Sequence, residues 1–472
     1  RDRLSMGLLD RFRSPRVPMT PSLPPVGTRV GTDDGFCAVV DGSAVVHLPD
    51  RPVRVGWWIG ADDRWYDPSA ERAVRQVRPG PAPVLETRLR VAGGDILATT
   101  WAAIGDGPAV VVELANETPV PVAVAITVDG DIRNLAVEGR RLVADGVVAC
   151  AADRDAGRFA LVDGSADLWS VVTSGGAGQA APDPVSSHDG GTAGALIVPL
   201  LHRQSLRFVV PGGDPSLFPG PDRVAAGWAT RLEQATRVEL PDEALSASAS
   251  TGLVDLLLAE PTPDVAVQLA AWGLLRDAVD RIAAHHRDDP AGWLRAAATC
   301  WDLHRRPEPF ADLPLEALVA SGTAAASEPG SAGRLAGLFA ARGDARASAD
   351  AEALSGPVAD PDGSMWDLAR RLAAPQGDGL TLLGEVPSSW FGQPVEVHGL
   401  PTTYGMLSYG IRWHGERPAL LWELDPHDDR LFRLTVPGLD PNFSSTESTG
   451  EALLAALVPP STGLPPDSGS FS

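Results

Sequence analysis

Lysine is missing from this chain: its 39 basic residues are all arginine, set against 61 aspartate and glutamate residues. Without a lysine side chain there is no Walker-type phosphate loop, no Schiff base and no pyridoxal-phosphate anchor. The net charge of -22 repels phosphate backbones and anionic lipid, so we expect neither a nucleic acid nor a membrane surface as a partner. Several reaction classes are therefore excluded before any motif is considered.

Cysteine and long apolar runs are also scarce. Cys37, Cys150 and Cys300 are scattered and odd in number, which indicates neither a disulfide framework nor a metal set. The histidine-bearing segments 284–290 and 426–430 fall at a helix end and a turn, where polar residues are expected, so we predict no metal and no cofactor. No stretch reaches the length of a membrane span, and we expect a soluble, cytoplasmic protein.

The remaining pattern predicts a multidomain chain of β and α parts. Residues 1–26 are rich in Arg and Pro and are predicted to form a flexible arm. Short alternating runs over 27–215 predict an antiparallel β-sandwich. In the run 85–91, for example, the apolar residues and Thr87 share one face, and the Gly93-Gly94 pair predicts a tight hairpin turn after it.

The period changes to a helical one at about residue 220. Residues 220–375 are predicted to be all-α, with about six or seven helices over and around the runs 242–259, 263–285, 290–305, 312–321, 332–354 and 363–374. Strands return over 380–458 as a small β-unit, in which 390–424 reads as three strands. Residues 459–472 are predicted to be a disordered tail.

Tryptophan is the abundant aromatic, with 13 residues against 3 tyrosines. Trp57, Trp58 and Trp65 are interleaved with aspartates, among them Asp62 and Asp63, in the segment 56–68. Flat aromatic faces stack on sugar rings and carboxylates accept hydrogen bonds from hydroxyls, so these five residues are candidates for carbohydrate binding. The alternative is that the first two tryptophans fill the sandwich core while the aspartates form a turn.

Hydrolysis of a glycosidic bond needs two carboxyl groups that flank it, one of them protonated. The helical part offers many acids, and their spacing selects no pair: Asp255, Glu260, Asp264, Asp277, Asp280, Asp288, Asp289, Asp302, Glu308, Asp312 and Glu316. Glu260 and Asp264 flank Pro261 and Pro263 on a loop that leads into a helix, where a catalytic acid can sit. The other interpretation of Asp264 is a helix N-cap.

A family resemblance follows from the segment "PGPAPVLETRLRVAGGDILATTWA". It resembles the N-terminal sandwich of glucoamylase- and trehalase-like glycosidases, although Trp101 stands where an Asp usually ends the second strand. The order of sandwich, helices and C-terminal β-unit is similar to that of the six-hairpin, (α/α) toroid glycosidase superfamily. The resemblance implies a supersandwich followed by a toroid, here reduced to about half, and no catalytic motif of that family aligns with this chain.

Three functions remain open from the sequence. The first is a glycoside hydrolase acting on α-linked glucans through paired carboxylates. The second is a catalytically inactive carbohydrate-binding or regulatory protein on a degenerate glycosidase scaffold, whose partner is an oligo- or polysaccharide. The third is a structural or protein-interaction role, with the low-complexity loop 321–333 and the termini as contact sites.

Overall fold

The computed structural model describes residues 27–320, 326–354 and 356–456. Sheets lie in the N-terminal and C-terminal parts of the chain, and ten described helices lie between them within 221–372. The mixed β and α composition expected from the sequence is therefore confirmed. The predicted arm 1–26 and the predicted tail 459–472 lie outside the described residues.

The N-terminal strands form two antiparallel sheets. The eight-stranded sheet has the order β1-β2-β3-β4-β10-β16-β14, with β5 paired to β4, and the nine-stranded sheet has the order β15-β11-β12-β13-β17-β9-β8-β7-β6. Their bounds are β1 Thr28–Gly31, β2 Cys37–Val40, β3 Val46–His47, β4 Val53–Gly60, β5 Trp65–Tyr66, β6 Arg75–Val77, β7 Leu85–Val91, β8 Gly94–Ile104, β9 Pro108–Asn116, β10 Val122–Gly130, β11 Asn134–Glu138, β12 Arg141–Ala144, β13 Val147–Ala152, β14 Arg158–Val162, β15 Val185–Ser186, β16 Ala193–Leu200 and β17 Ser205–Val210. A short helix, α1 (Leu168–Thr173), lies between β14 and β15.

Alternation along each strand places one set of side chains in a shared core. In β7 the buried residues alternate with exposed or half-buried ones, as predicted, and buried side chains of both sheets contribute to one apolar cluster. The hairpin turn after β7 differs from the prediction by one residue. Val91 pairs with Gly94, so the two turn residues are Ala92 and Gly93, and Gly93 takes the positive φ of 84° that glycine tolerates.

The helices between the sheets are short. They are α2 Pro221–Leu232, α3 Glu243–Leu257, α4 Pro263–Ala271, α5 Leu275–His285, α6 Pro290–His304, α7 Leu315–Ala320, α8 Pro329–Arg334, α9 Ala336–Ala341, α10 Ala345–Glu352 and α11 Ser364–Leu372. Side-chain caps begin several of them: Asp242 and Asp289 each accept a hydrogen bond from a backbone N–H of the first turn. Buried residues dominate α6, which is the most enclosed of these helices.

The expected helix number was too low because two predicted runs are broken. The run 263–285 divides into α4 and α5 at Gly273, whose φ of 88° ends the first helix. The run 332–354 is divided by Leu335 and by Gly343, which has a φ of 78°. The predicted loop 321–333 is also wrong where the structure describes it, since α8 begins at Pro329.

The C-terminal strands form two further sheets. Their bounds are β18 Arg237–Glu239, β19 Ala373–Gln376, β20 Gly379–Leu382, β21 Val395–Thr402, β22 Gly405–His414, β23 Arg417–Pro426, β24 Arg433–Val436, β25 Asp440–Ser445 and β26 Thr449–Leu453. The five-stranded sheet has the order β18-β21-β22-β23-β26, and the four-stranded sheet has the order β19-β20-β24-β25. The three strands predicted within 390–424 are β21, β22 and β23, with Leu407, Tyr409 and Ile411 buried on one face as expected.

Helices and C-terminal strands share one apolar core. Its cluster joins side chains of α3 to α11 with side chains of β20 to β24, among them Trp293, Phe339, Leu407 and Leu420. The strand β18, which lies between α2 and α3 in sequence, pairs with β21 and so connects the helical part to the C-terminal sheet. None of the described helices is both long enough and apolar enough to span a membrane.

Candidate functional site

The predicted carbohydrate residues of 57–65 divide between two faces of the eight-stranded sheet. Trp57 is 1% exposed and lies in the core shared by the two N-terminal sheets. Trp58 and Trp65 pack on the opposite face, where the ring of Trp58 meets that of Trp169 edge to face at 5.0 Å. The expectation of one saccharide surface made by all three tryptophans is therefore wrong for Trp57, because strand alternation turns it inward.

The aspartates of that segment have local structural roles. Asp63 accepts a hydrogen bond of 2.7 Å from the hydroxyl of Tyr66, which lowers the pKa of this carboxyl. Asp62 is exposed. Trp58 and Trp65, both half-buried, remain the aromatic part of a smaller surface patch beside these two acids.

Neither of the two acids favoured in the helical part lines one of the three clefts described below. Glu260 is exposed in the segment between α3 and α4; burial raises the pKa of the Cys37 thiol, and the charge of Glu260 adds to that shift. Asp264 lies in the first turn of α4, and the N-cap of that helix is Thr262, whose hydroxyl accepts from the N–H of Val265 at 3.2 Å. The N-cap interpretation of Asp264 was therefore wrong, since the cap lies two residues earlier.

A cleft of about 540 Å³ opens where the helices meet the C-terminal sheets. We call it the arginine cleft. It is lined by the end of α4, the C-terminal end of α6, Arg334 of α8, the segment 358–361, one face of α11, the β19 turn and the hairpin between β21 and β22. Its charged and aromatic lining residues are Asp302, Arg305, Arg334, Asp360, Trp366, Arg370, Tyr404 and Arg430.

Asp302 is the most enclosed acid of the arginine cleft. Its side chain, 12% exposed, forms ion pairs of 2.7 Å with Arg305 and 3.1 Å with Arg334. Burial raises the pKa of Asp302, and the two guanidinium groups oppose that shift because they stabilise the ionised carboxylate. The result is a fixed array of planar donors held around one carboxylate at the wall of the cleft.

Arg305 has a strained backbone. It follows the last residue of α6 with a left-handed φ of 49°, a conformation that costs a non-glycine residue roughly 1 kcal/mol. Its Nε atom is buried without a hydrogen-bond partner among the described residues, as is Nε1 of the neighbouring Trp301. Strain of this kind is enriched at functional sites, where it aims a side chain. Here it directs the guanidinium toward Asp302.

Aromatic rings and two further arginines also line the cleft. The guanidinium of Arg430 lies 5.1 Å from the centre of the Tyr404 ring and donates to the carbonyl of Thr403 at 2.8 Å. The guanidinium of Arg370 lies 5.7 Å from the ring centre of Trp366, a side chain that is largely buried. Tyr404 is half-buried and is the ring with the larger surface available to a ligand.

Two histidines connect the elements that line the arginine cleft. Nε2 of His304 contacts the carbonyl of Ala270 at 2.8 Å and ties α6 to α4. Burial lowers the pKa of His304 to about 4, so its imidazole is neutral at neutral pH. Nε2 of His427 contacts the carbonyls of Leu303 at 2.8 Å and Thr402 at 3.1 Å, which fixes the β21–β22 hairpin against α6.

Two other clefts lack this combination of rings and free polar groups. A cleft of about 400 Å³ on the nine-stranded sheet is lined by Glu113, Arg207 and other polar residues, and the Trp101 ring near Arg207 is fully buried. A cleft of about 490 Å³ between α2 and the N-terminal strands has mainly apolar walls. The arginine cleft is therefore the best candidate for a functional site.

No local pattern in the sequence indicates this cleft, because its charged residues come from five separate segments. Asp302 stood among the acids of the helical part without any feature that selected it. The one available cue was the Arg305-Arg306 pair directly after a helix, where a glycine is the usual terminator. Within the described residues no group of three or more His, Cys, Asp or Glu side chains is arranged to hold a metal ion.

Comparison with known proteins gives no assignment. Neither the scan against protein-family models nor the search of curated proteins finds a match to this chain. The function of this chain is therefore inferred from the chemistry of its own residues, foremost those of the arginine cleft.

Proposed function

We propose that this chain is a carbohydrate-binding protein of glycosidase-like architecture and that the arginine cleft is its saccharide site. The observation that carries the proposal is the meeting of the Tyr404 ring with a dense set of fixed hydrogen-bonding groups in one cleft of about 540 Å³. That volume is typical of small-ligand sites. An aromatic ring packs on the apolar face of a pyranose, while guanidinium and carboxylate groups bind its hydroxyls.

The proposal includes kinship with the six-hairpin, (α/α) toroid glycosidases. Its support is the order of parts: two N-terminal sheets that share a core, a run of ten helices among the described residues, and C-terminal sheets that pack on those helices. In this proposal the N-terminal sheets correspond to a supersandwich and the helices to a partial toroid. The position of the arginine cleft, at the junction of helices and C-terminal sheets, is where such a scaffold would hold its sugar.

Binding ranks ahead of hydrolysis because of the state of Asp302. A general acid must hold a proton at the working pH, and the two guanidinium groups on Asp302 stabilise its ionised form. With both oxygens of its carboxylate engaged, Asp302 serves better as an anchor for Arg305 and Arg334 than as a proton donor. This is the reason for placing catalysis second.

Hydrolysis is nevertheless the second candidate, on a specific observation. Two carboxyl groups, Asp302 and Asp360, line the same cleft, and burial shifts the pKa of Asp302 upward, the direction that a general acid requires. Asp360 is exposed at the rim and accessible to water. In this alternative Asp302 protonates the leaving oxygen and Asp360 acts as base or nucleophile.

The deciding experiment measures binding and turnover on the same material. Neutral and acidic oligosaccharides are titrated by calorimetry, and nitrophenyl glycosides are screened for release of nitrophenol. We expect saccharide binding that is lost in Tyr404→Ala, whereas Trp65→Ala, in the surface patch of the eight-stranded sheet, binds as the wild type does. Absence of binding to any saccharide, or full binding by Tyr404→Ala, would refute the proposed site.

The turnover measurement separates the two candidates. If nitrophenol is released, Asp360→Asn should abolish release while it leaves binding largely intact, because the amide keeps the shape of the carboxylate. Asp312→Asn, an exposed acid outside the arginine cleft, is the matched control. No release from any glycoside, together with binding, supports the binding function alone.

A further inference from the structure

The charge of the arginine cleft is opposite to that of the chain. Its lining contains four arginines, Arg305, Arg334, Arg370 and Arg430, but only two carboxylates. The chain as a whole carries a net charge of -22. The local excess of positive charge attracts anions to this cleft, whereas the net negative charge of the rest of the chain repels them.

Three of the four arginines are already engaged by protein acids. Arg305 and Arg334 share Asp302, as described above. Arg430 lies 3.4 Å from a carboxylate oxygen of Asp428, which is not part of the cleft lining. These three groups are therefore held in place before any ligand arrives.

Arg370 is the exception. It is half-buried in the last turn of α11 and forms no ion pair and no hydrogen bond with any residue that the structure describes. Its guanidinium carbon lies 5.7 Å from the centre of the Trp366 ring. A half-buried guanidinium has lost part of its hydration, and no acidic side chain among the described residues compensates Arg370 for that loss. An anion bound in the cleft would compensate for it.

In the polar cleft on the nine-stranded sheet, by contrast, the arginines are paired with acids. In the cleft on the nine-stranded sheet, Arg207 pairs with Glu113 at 2.6 Å and Arg140 pairs with Asp214 at 3.6 Å. Every arginine that lines that cleft has its own acid. The unpaired Arg370 is thus a feature that distinguishes the arginine cleft from a generic ion-paired surface.

We infer that the arginine cleft selects an acidic saccharide, one whose sugar carries a carboxylate, sulfate or phosphate group, and that Arg370 binds that oxyanion. The guanidinium offers two parallel donors to such a group, beside the aromatic rings that accept the sugar face. This inference rests on the proposed saccharide-binding function and adds the class of ligand. Asp302 in turn holds Arg305 and Arg334 as the second, fixed part of the positive wall.

The test compares ligands of matched length by calorimetry at low salt. The ligands are a neutral gluco-oligosaccharide, an oligouronate, a sulfated oligosaccharide, a sugar phosphate and inorganic phosphate alone. We expect at least one acidic saccharide to bind about tenfold or more tightly than the neutral one, which corresponds to about 1.4 kcal/mol. The difference in affinity between the acidic and the neutral saccharide should shrink as salt is raised. The Arg370 guanidinium is only half-buried, so salt screens its attraction to the oxyanion.

Arg370→Gln and Arg371→Gln form a matched pair of variants. Both residues lie in the last turn of α11 and both changes remove one positive charge, but Arg371 is exposed and does not line the arginine cleft. We expect Arg370→Gln to lose the tenfold preference, measured as the ratio of the affinities for the acidic and the neutral saccharide. Arg371→Gln should keep the preference.

The outcomes distinguish failure of this inference from failure of the proposed saccharide-binding function. Equal or tighter binding of the neutral saccharide overturns this inference and leaves the saccharide site standing, whereas no binding of any saccharide refutes the proposed function itself. Binding of inorganic phosphate as tight as that of the sugar phosphate would overturn selection for a saccharide. An acidic preference that survives Arg370→Gln would overturn the assignment of Arg370.

Discussion

The ion pairs of Asp302 should make a measurable contribution to stability. Asp302→Asn removes the negative charge but keeps the size of the side chain, so it leaves Arg305 and Arg334 without their shared counter-ion. Loss of one partner from a fully buried pair costs about 3–5 kcal/mol, but the Arg334 side chain is 44% exposed, so solvent screens part of this cost, and an amide oxygen still accepts one of the two hydrogen bonds. We therefore expect a loss of about 2–4 kcal/mol in the free energy of unfolding.

Urea unfolding followed by tryptophan fluorescence measures this loss, since Trp301 lies next to the pair in sequence. Hydrogen exchange of α6 and α8 localises it, because those two helices carry the residues that the carboxylate joins. Asp350→Asn is the control: its carboxylate is 73% exposed and pairs with Arg346 at 4.0 Å, an arrangement worth roughly 0–1 kcal/mol. A loss below about 1 kcal/mol for Asp302→Asn, or one equal to the control, would contradict the reasoning.

Three further predictions concern the cores and the hairpin. Trp57→Ala should cost about 3–5 kcal/mol in urea unfolding because it empties a fully buried site, while Trp65→Ala, at a half-buried site, should cost less than half as much. His304, with a pKa lowered to about 4 by burial, binds its proton less readily in the folded state than in the unfolded one. Stability should be complete above the ordinary pKa of 6.5 and should fall as the pH decreases toward 4, by at most about 3 kcal/mol; in His304→Gln the urea midpoint should change less between these pH values. Gly405→Ala should lower the melting temperature strongly, because a Cβ there would lie 2.1 Å from the carbonyl oxygen of Asp425 at a φ of 157°, whereas Gly415→Ala, with a φ of 66° and open space around it, should cost only about 1 kcal/mol.

Much of the strand pattern could be predicted because it is local. In β7 and in β21 to β23, apolar and polar residues alternate with period two, and that alternation depends only on neighbours in sequence. The single β18 strand could not be predicted in this way. It has three residues, two of them exposed, and its pairing with β21 is a contact between segments more than 150 positions apart.

The helix boundaries were harder because glycine is ambiguous in sequence. Gly273 ends α4, whereas Gly292 lies inside α6 and packs against the Asp289 cap. Nothing in the residue type distinguishes the two, and only the three-dimensional neighbours decide the backbone conformation.

The candidate site was beyond reach of the sequence for a related reason. Asp302 is one of many acids on the helices. What distinguishes it is its ion pairs with Arg305 and Arg334, and Arg334 lies on another helix. The ring proposed to contact the sugar is that of Tyr404, one of 3 tyrosines, and not one of the tryptophans in the segment 56–68. Trp57 and Trp58 turned out to occupy opposite faces of one strand, as alternation requires.

The pairing of β18 with β21 has a consequence for how the chain is made. During synthesis the segment 237–239 emerges long before its partner at 396–398. The strand β18 therefore stays unpaired with β21 until the helices α3 to α11 have been translated. Closing so long a loop costs entropy, but that cost grows only with the logarithm of its length. A fragment ending before residue 395 would therefore lack both the partner of β18 and the strands on which the helices pack, and the apolar side chains of that shared core would be exposed.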